Sequence, residues 1–528
     1  MKPFRYPAIL FAFTIVQLAV TETVAAQEKS SGDELVILTP KPGPAPRING
    51  PTIYGARPGN PFLYLVPCQG VRPIRFSADG LPATLNLNPD TGVITGTTPT
   101  AGTYRITLHA NNAHGKSERL LRLVAGHTLA LTPPMGWNHW YAHYDRITDK
   151  MMREAADVMV SSGMADVGYQ YVNIDGCWMN APSYADPLRV GPARDEKGNM
   201  LPNKHFPDMK ALTAYIHDKG LKAGIYSSPG HLSCGGFYGS YGHEAQDAEL
   251  YAGWGFDFLK YDWCSYQSIA ERGDPAAPEV PNWSKGGDKL LVYQYPYRLM
   301  GTLLEQQKRD IVLNHCQYGF GNVWEWGADV GGQCWRTADD LGFELDRFVD
   351  VAINNAKYRA WNRPGAWNDP DYIQIGYVGS TNNHGEPQPC PFSPNQQYTY
   401  MSLWSLSAAP LIFSGDLSKL DEFTLNILCN PEVIDINQDA MGQCGSVVTL
   451  TDKTFLMVKE LENGDKAVGF FNRGEKAADM TAQWAVLGLT GLVMARDVWQ
   501  QKDLGKFETA YTASVPPRGV VMLRFHKL

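Results

Sequence analysis

The chain has 528 residues, too many for one ordinary core; at roughly 150 residues per domain it should divide into about three, with room for a barrel that runs larger. A hydrophobic content of 44%, with 11% aromatic and only 19% charged residues, describes a densely packed globular protein and excludes extensive disorder. The formal net charge of -8 is spread out and no basic run occurs, which argues against nucleic acid as a partner.

In chain order, Lys2 and Arg5 precede an apolar stretch from Ala8 to Val20, and Val24-Ala25-Ala26 stands just before Gln27. This is the pattern of a secretory signal over 1–26, cleaved on export to the periplasm or the outside. Gln17 and Thr21-Glu22-Thr23 break the stretch short of the roughly 20 apolar residues a bilayer requires, so no membrane span is expected there or later. Residues 27–45, polar and then Pro-rich, read as a linker. From 46 to 126 short alternating strands such as 61–66 and 102–108 suit a small β-sandwich. Its run L-N-P-D-T-G-V-I-T-G-T-T-P-T-A-G-T-Y at 87–104 resembles the immunoglobulin-like domains attached to bacterial surface and polysaccharide-processing proteins.

Between 127 and 440 apolar strand candidates alternate with helical patterns: 135–138, 169–176, 222–227, 256–263, 310–317, 334–340, 366–373 and 411–416. Strands separated by helices imply a parallel sheet, and eight of them make a (β/α)8 TIM barrel of α/β class the economical solution. Residues 441–528 return to alternation and read as a C-terminal antiparallel β-sandwich.

Barrel chemistry sits at the carboxyl ends of the strands. G-F-D-F-L-K-Y-D-W-C at 255–264 is a buried-strand pattern broken by Lys260 and Asp262, which lie two apart and so point to one side. Cys334-Trp335-Arg336-Thr337-Ala338-Asp339-Asp340 repeats the design, and two carboxylates on separate strands suit acid/base or nucleophilic work on a sugar. Other strand ends carry Trp137-Asn138-His139-Trp140, Asp175-Gly176-Cys177-Trp178, Tyr226, Gln317-Tyr318 and Asn368-Asp369-Pro370-Asp371. Rings offer a platform to the apolar face of a sugar, while Asp, Lys and Arg bond its hydroxyls. Singly each has a structural explanation, such as a core Trp or an Asp-Pro turn; convergence of seven strand ends is harder to explain so. Nine cysteines are compatible with disulfides after export, and an odd number leaves one unpaired. No C-x-x-C or H-E-x-x-H occurs, so neither a metal nor a cofactor is expected.

From Thr132 to Gly445 the chain resembles glycoside hydrolase family 27, the melibiase-type α-galactosidases. The motifs are P-P-M-G-W-N-H-W at 133–140, N-I-D-G-C-W-M at 173–179, G-I-Y-S at 224–227, G-F-D-F-L-K-Y-D-W-C, C-Q-Y-G at 316–319, W-R-T-A-D-D at 335–340, W-N-D-P-D at 367–371 and I-N-Q-D at 436–439. The resemblance implies a retaining double displacement, with Asp262 as nucleophile and Asp340, four residues after Arg336, as general acid and then base. It implies that Trp140, Asp175, Tyr226, Lys260, Arg336 and Asp371 line the sugar subsite with Gln317 and that Cys234 pairs with Cys264; Cys316 with Cys334 is expected as a second bridge. Lys260 and surrounding donors are expected to keep Asp262 ionised while Asp340 carries the proton.

Three departures bear on specificity. Gly176 follows Asp175 where the family usually has a second aspartate, Gln317 stands where a glutamate is common, and Trp263 stands where many members have glycine. A buried hydroxyl left unpaired costs about 1–3 kcal/mol, so such changes select the sugar. The expected activity is release of terminal α-D-galactosyl residues from a carbohydrate. The alternatives are the same chemistry on a β-L-arabinopyranoside, an α-N-acetylgalactosaminide or an α-glucan, or a carbohydrate-binding barrel without activity.

Overall fold

Eight short apolar stretches form one parallel sheet in the computed structural model, which describes residues 36–286, 288–379 and 385–528. The leader assigned to 1–26 and the first part of the linker lie outside the described residues. The strands are β1 (Met135–Asn138), β2 (Tyr171–Asn173), β3 (Lys222–Ser227), β4 (Phe258–Asp262), β5 (Val312–Cys316), β6 (Cys334–Arg336), β7 (Trp367–Asp369) and β8 (Leu411–Phe413). Their order is β7-β6-β5-β4-β3-β2-β1-β8. Every residue in them except Lys222 is buried, as a sheet covered on both faces requires.

Closure of the ring falls to Ile373, whose N–H donates to the Ile412 carbonyl at 2.8 Å and whose carbonyl accepts from the Ser414 N–H at 2.9 Å. β7 stops at Asp369 because Pro370 has no N–H for the ladder and Asp371 turns to φ 103°. The expected (β/α)8 barrel is therefore present, with six strands shorter than the sequence suggests and β1 and β3 as read. At the amino-terminal end the first residues of β2, β4, β5, β6 and β7 (Tyr171, Phe258, Val312, Cys334 and Trp367) pack together as a plug. Outer helices begin at side-chain caps: Thr148 accepts from the Met151 N–H before Asp149–Ser161, and Ser393 with Gln396 forms a capping box before Pro394–Leu406.

The N-terminal β-domain has a four-stranded sheet and a three-stranded sheet around Phe62, Phe76, Ile94, Ile106, Leu121 and Leu123. It abuts the plugged end of the barrel. Asp310, just ahead of β5, accepts from the Arg57 N–H at 3.0 Å and from Asn60 Nδ2 at 2.7 Å, and Lys222 at the start of β3 bonds the Tyr54 hydroxyl. Part of the expected linker is fastened to the barrel: the Leu38 N–H donates to the Tyr398 hydroxyl at 3.1 Å and the Thr39 N–H to Asn426 Oδ1 at 2.7 Å. The C-terminal domain is a six-stranded antiparallel sheet and a two-stranded one around Val468, Phe470, Trp484, Leu523 and Phe525. Among the described residues no helix is long and apolar enough to cross a membrane.

Candidate active site

Four carboxyl ends of barrel strands lead into left-handed backbone. Cys177 after β2, Cys264 after β4, Tyr318 after β5 and Asp371 after β7 all have positive φ, at 73°, 22°, 64° and 103°. Non-glycine residues in this region hold a cost that surrounding structure must sustain, and such residues gather at functional sites.

The first centre is Asp175, which is buried. Its Oδ2 accepts from Lys260 Nζ at 2.8 Å, Asn138 Nδ2 at 2.9 Å and the Tyr372 hydroxyl at 3.3 Å, and its Oδ1 from the Gly176 N–H at 2.9 Å. Burial alone would raise its pKa, but Lys260, His139 and these donors outweigh burial and hold it below the usual carboxylate range. The Lys260 ammonium is in turn boxed by rings, 5.9 Å from Trp140, 5.4 Å from Tyr226 and 5.0 Å from Tyr372.

Asp262, at the end of β4, has Lys260 nearby but takes its hydrogen bonds from other donors. Lys260 gives its short bond to Asp175, and Asp262 is bonded by two phenols: Tyr318 to Oδ1 at 2.7 Å and Tyr226 to Oδ2 at 3.3 Å. Burial pushes its pKa up against Lys260 and the Tyr318 bond, with Asp175 and Asp340 adding to the rise. Cys234 and Cys264 form the expected disulfide, with Cα atoms 4.9 Å apart. Its sulfurs stand behind the two phenols, Cys264 Sγ 3.2 Å from the Tyr226 hydroxyl and Cys234 Sγ 3.7 Å from that of Tyr318.

The third centre is Arg336. Its Nη1 lies 3.1 Å from Asp371 Oδ1 and 3.2 Å from Asp340 Oδ1, while Nε and Nη2 are buried without a hydrogen-bond partner. Asp371 Oδ2 also accepts from the Tyr141 hydroxyl at 2.8 Å and the Leu341 N–H at 2.9 Å; burial, opposed by Arg336, moves its pKa up to about 6. Asp340 is the exposed member, at 43% of its side chain, and Asp339 turns away to pair with Arg347. Tyr372 ties the centres together, its N–H on Asp371 Oδ1 at 2.8 Å and its hydroxyl on Asp175.

Trp140, Asp175, Tyr226, Lys260, Asp262, Arg336, Asp340 and Asp371 are thus joined in one contact network. Gln317 uses its amide elsewhere: Oε1 accepts from the Phe320 N–H at 2.6 Å and Nε2 donates to the Phe320 carbonyl at 3.0 Å, so it closes its own loop where a sugar contact was expected. The Cys316–Cys334 bridge is overturned, since both are free thiols. Asn314 is the partner of Cys334 in the ladder, so Cys316 lies two residues further on. Strand geometry then separates the two Cα atoms by roughly 8 Å, outside disulfide reach. Trp263 faces outward, stacked 6.3 Å from Tyr297 and bonded through Nε1 to Gln267 at 2.8 Å. At Gly176 a Cβ would meet Trp140 at 3.4 Å and Tyr226 at 3.7 Å, so rings line the flank where a second carboxylate would stand. Sequence reasoning missed Tyr141 and Tyr372, whose roles arise from contacts across the pocket; Asn138 and Tyr318, which it placed among the strand-end groups, bond Asp175 and Asp262.

A family profile described as Alpha galactosidase A matches residues 132–439, one for the Alpha galactosidase C-terminal beta sandwich domain matches 451–525, and an Ig-domain profile matches 45–125. Alpha-galactosidase 2 of Arabidopsis thaliana is 34% identical over 406 residues, 76% of this chain and 91% of that one. Alpha-galactosidase A of Cellvibrio japonicus is 33% identical over 420 residues, 75% and 92% of the two chains. A crystal structure from Bacteroides fragilis, provisionally described as an alpha-galactosidase/melibiase, superposes with a TM-score of 0.81 at 32% identity, covering 93% of this chain and 99% of its own.

Proposed function

The chain belongs to the Alpha galactosidase A family and is a glycosidase, and from its site we propose that it removes terminal α-D-galactosyl residues with retention of configuration. The observation that carries this reading is the pairing of a buried carboxylate, Asp262, whose two oxygens are held by phenols, with a solvent-facing carboxylate, Asp340, steadied by Arg336. Asp262 attacks the anomeric carbon as Asp340 delivers a proton to the departing oxygen. A glycosyl ester forms, and Asp340 then takes a proton from the water that hydrolyses it. Asp175 and Lys260 bond sugar hydroxyls, Trp140 supports the apolar face, and the two unpartnered donors of Arg336 serve hydroxyls near the reacting carbon.

The leader pattern at 1–26 and the Cys234–Cys264 disulfide support export. Gly176 favours a second reading on one point. With rings and no carboxylate on that flank, a sugar lacking the hydroxymethyl arm, such as a β-L-arabinopyranoside, would lose little.

Release of nitrophenol from the aryl α-galactoside, β-L-arabinopyranoside, α-N-acetylgalactosaminide and α-glucoside decides between them. The α-galactoside should be preferred, and Asp262→Ala should lower its turnover by roughly 10⁴-fold or more. Turnover confined to another sugar would refute the galactoside specificity.

A further inference from the structure

We propose that Tyr318 is the positioning residue of the nucleophile, fixing which oxygen of Asp262 attacks and keeping that carboxyl ionised until it does. The inference rests on the retaining reading above. A carboxylate among buried groups of like charge needs a donor, and Lys260, the nearest cation by sequence, is bonded to Asp175 at 2.8 Å. The short bond to Asp262 is that of the Tyr318 hydroxyl, 2.7 Å from Oδ1, whereas Tyr226 stands at 3.3 Å from Oδ2. O–H···O⁻ bonds of that short length are about twice as strong as neutral ones.

The asymmetry assigns the oxygens. Oδ2, weakly held, keeps a lone pair for the anomeric carbon; Oδ1, held by Tyr318, becomes the carbonyl oxygen of the ester. In the first step the Oδ2–C1 bond forms, the bond from C1 to the aglycone oxygen breaks, and the proton of Asp340 passes to that oxygen. In the second, water gives a proton to Asp340 and bonds to C1, and the electron pair of the C1–Oδ2 bond returns to the carboxylate. The Tyr318 bond is stronger to the carboxylate than to the ester, so it favours departure of the carboxylate in the second step. The placement of Tyr318 is built in: φ of 64° turns the residue back over β4, its ring lies 5.8 Å from that of Phe320, and the Gln317 amide clamps the Phe320 backbone from both sides. Burial, foremost, and the adjacent Asp262 raise the pKa of the phenol, so it remains a donor throughout.

The test is steady-state hydrolysis of 4-nitrophenyl α-galactoside across pH by the wild-type protein, Tyr318→Phe and Tyr226→Phe, with the wild-type product anomer followed by NMR. Tyr318→Phe should move the acid limb of kcat/KM up by about one to two pH units, the equivalent of one charge-assisted hydrogen bond. It should also lower kcat and KM together by roughly tenfold or more, because glycosyl-enzyme accumulates. Tyr226→Phe should move the limb less. Tyr318→3-fluorotyrosine keeps the ring and strengthens the donor, so its limb should move down; this variant decides the matter if Tyr318→Phe melts far below the wild type. Retention in the wild type with an unmoved limb in both Tyr318 variants overturns the role of Tyr318 alone. Inversion in the wild type overturns this inference together with the retaining mechanism.

Discussion

Two groups of opposite character show how single residues set the behaviour of the barrel. Asp175 is bonded on every side, and Asp175→Asn would leave the Lys260 ammonium buried without its counter-charge. Breaking a buried pair from one side costs about 3–5 kcal/mol, so this variant should lose roughly that in chemical denaturation along with most of its kcat/KM. His315 is the reverse case, fully buried between Tyr297 and Trp326 with both ring nitrogens unpartnered and its pKa lowered by burial to about 3. The unfolded chain takes up this proton near pH 6.5 and the folded one only near 3, so stability falls as pH drops through that window, by up to about 1.4 kcal/mol per unit. Denaturation at pH 7, 5.5 and 4 should show the wild type losing stability relative to His315→Leu as pH falls; an unchanged difference would mean that His315 titrates normally. The carboxylates were legible because ionisable residues stand out in apolar strands. Tyr226 and Tyr318 could be picked out only by their place at strand ends; Tyr141 and Tyr372 could not, since a phenol is unremarkable in a protein with 26 of them until its hydroxyl is seen on Asp371 or Asp175.

Among elements, apolar runs located all eight strands, gave β1 and β3 their observed bounds and overran the carboxyl ends of the other six, because hydrophobicity records burial and most strand ends at the barrel mouth are buried too. Pro370 was a visible reason for β7 to stop; that Ile373 would take over closure was not visible. Register explains the mistaken bridge. Cysteine count and spacing cannot tell that Cys334 opens its strand in the plug while Cys316 closes its own at the mouth. Thiol titration of the unreduced protein in denaturant should therefore find seven free thiols; five, with a disulfide-linked peptide joining Cys316 to Cys334 in a digest, would restore that bond.

At the scale of the molecule, three domain classes were legible from changes in periodicity, but the docking of one on another was not. Nothing in the alternating strands of 46–126 says that they lie against the plugged end, where Asp310 accepts from both Arg57 and Asn60. That end is remote from the chemistry, so the β-domain is expected to stabilise the barrel without touching the sugar. Asp310→Ala should lower the melting temperature by several degrees and leave KM for the aryl galactoside unchanged; a changed KM would show that the β-domain reaches the site. The central claim is that Asp262 becomes covalently bound to the sugar. The measurement that tests it most directly is peptide mass analysis after inactivation by a fluorinated α-galactoside with a good leaving group. A glycosyl adduct on Asp262, absent in Asp262→Ala, is predicted; an adduct on another carboxylate, or turnover of the same compound with none detectable, would contradict it.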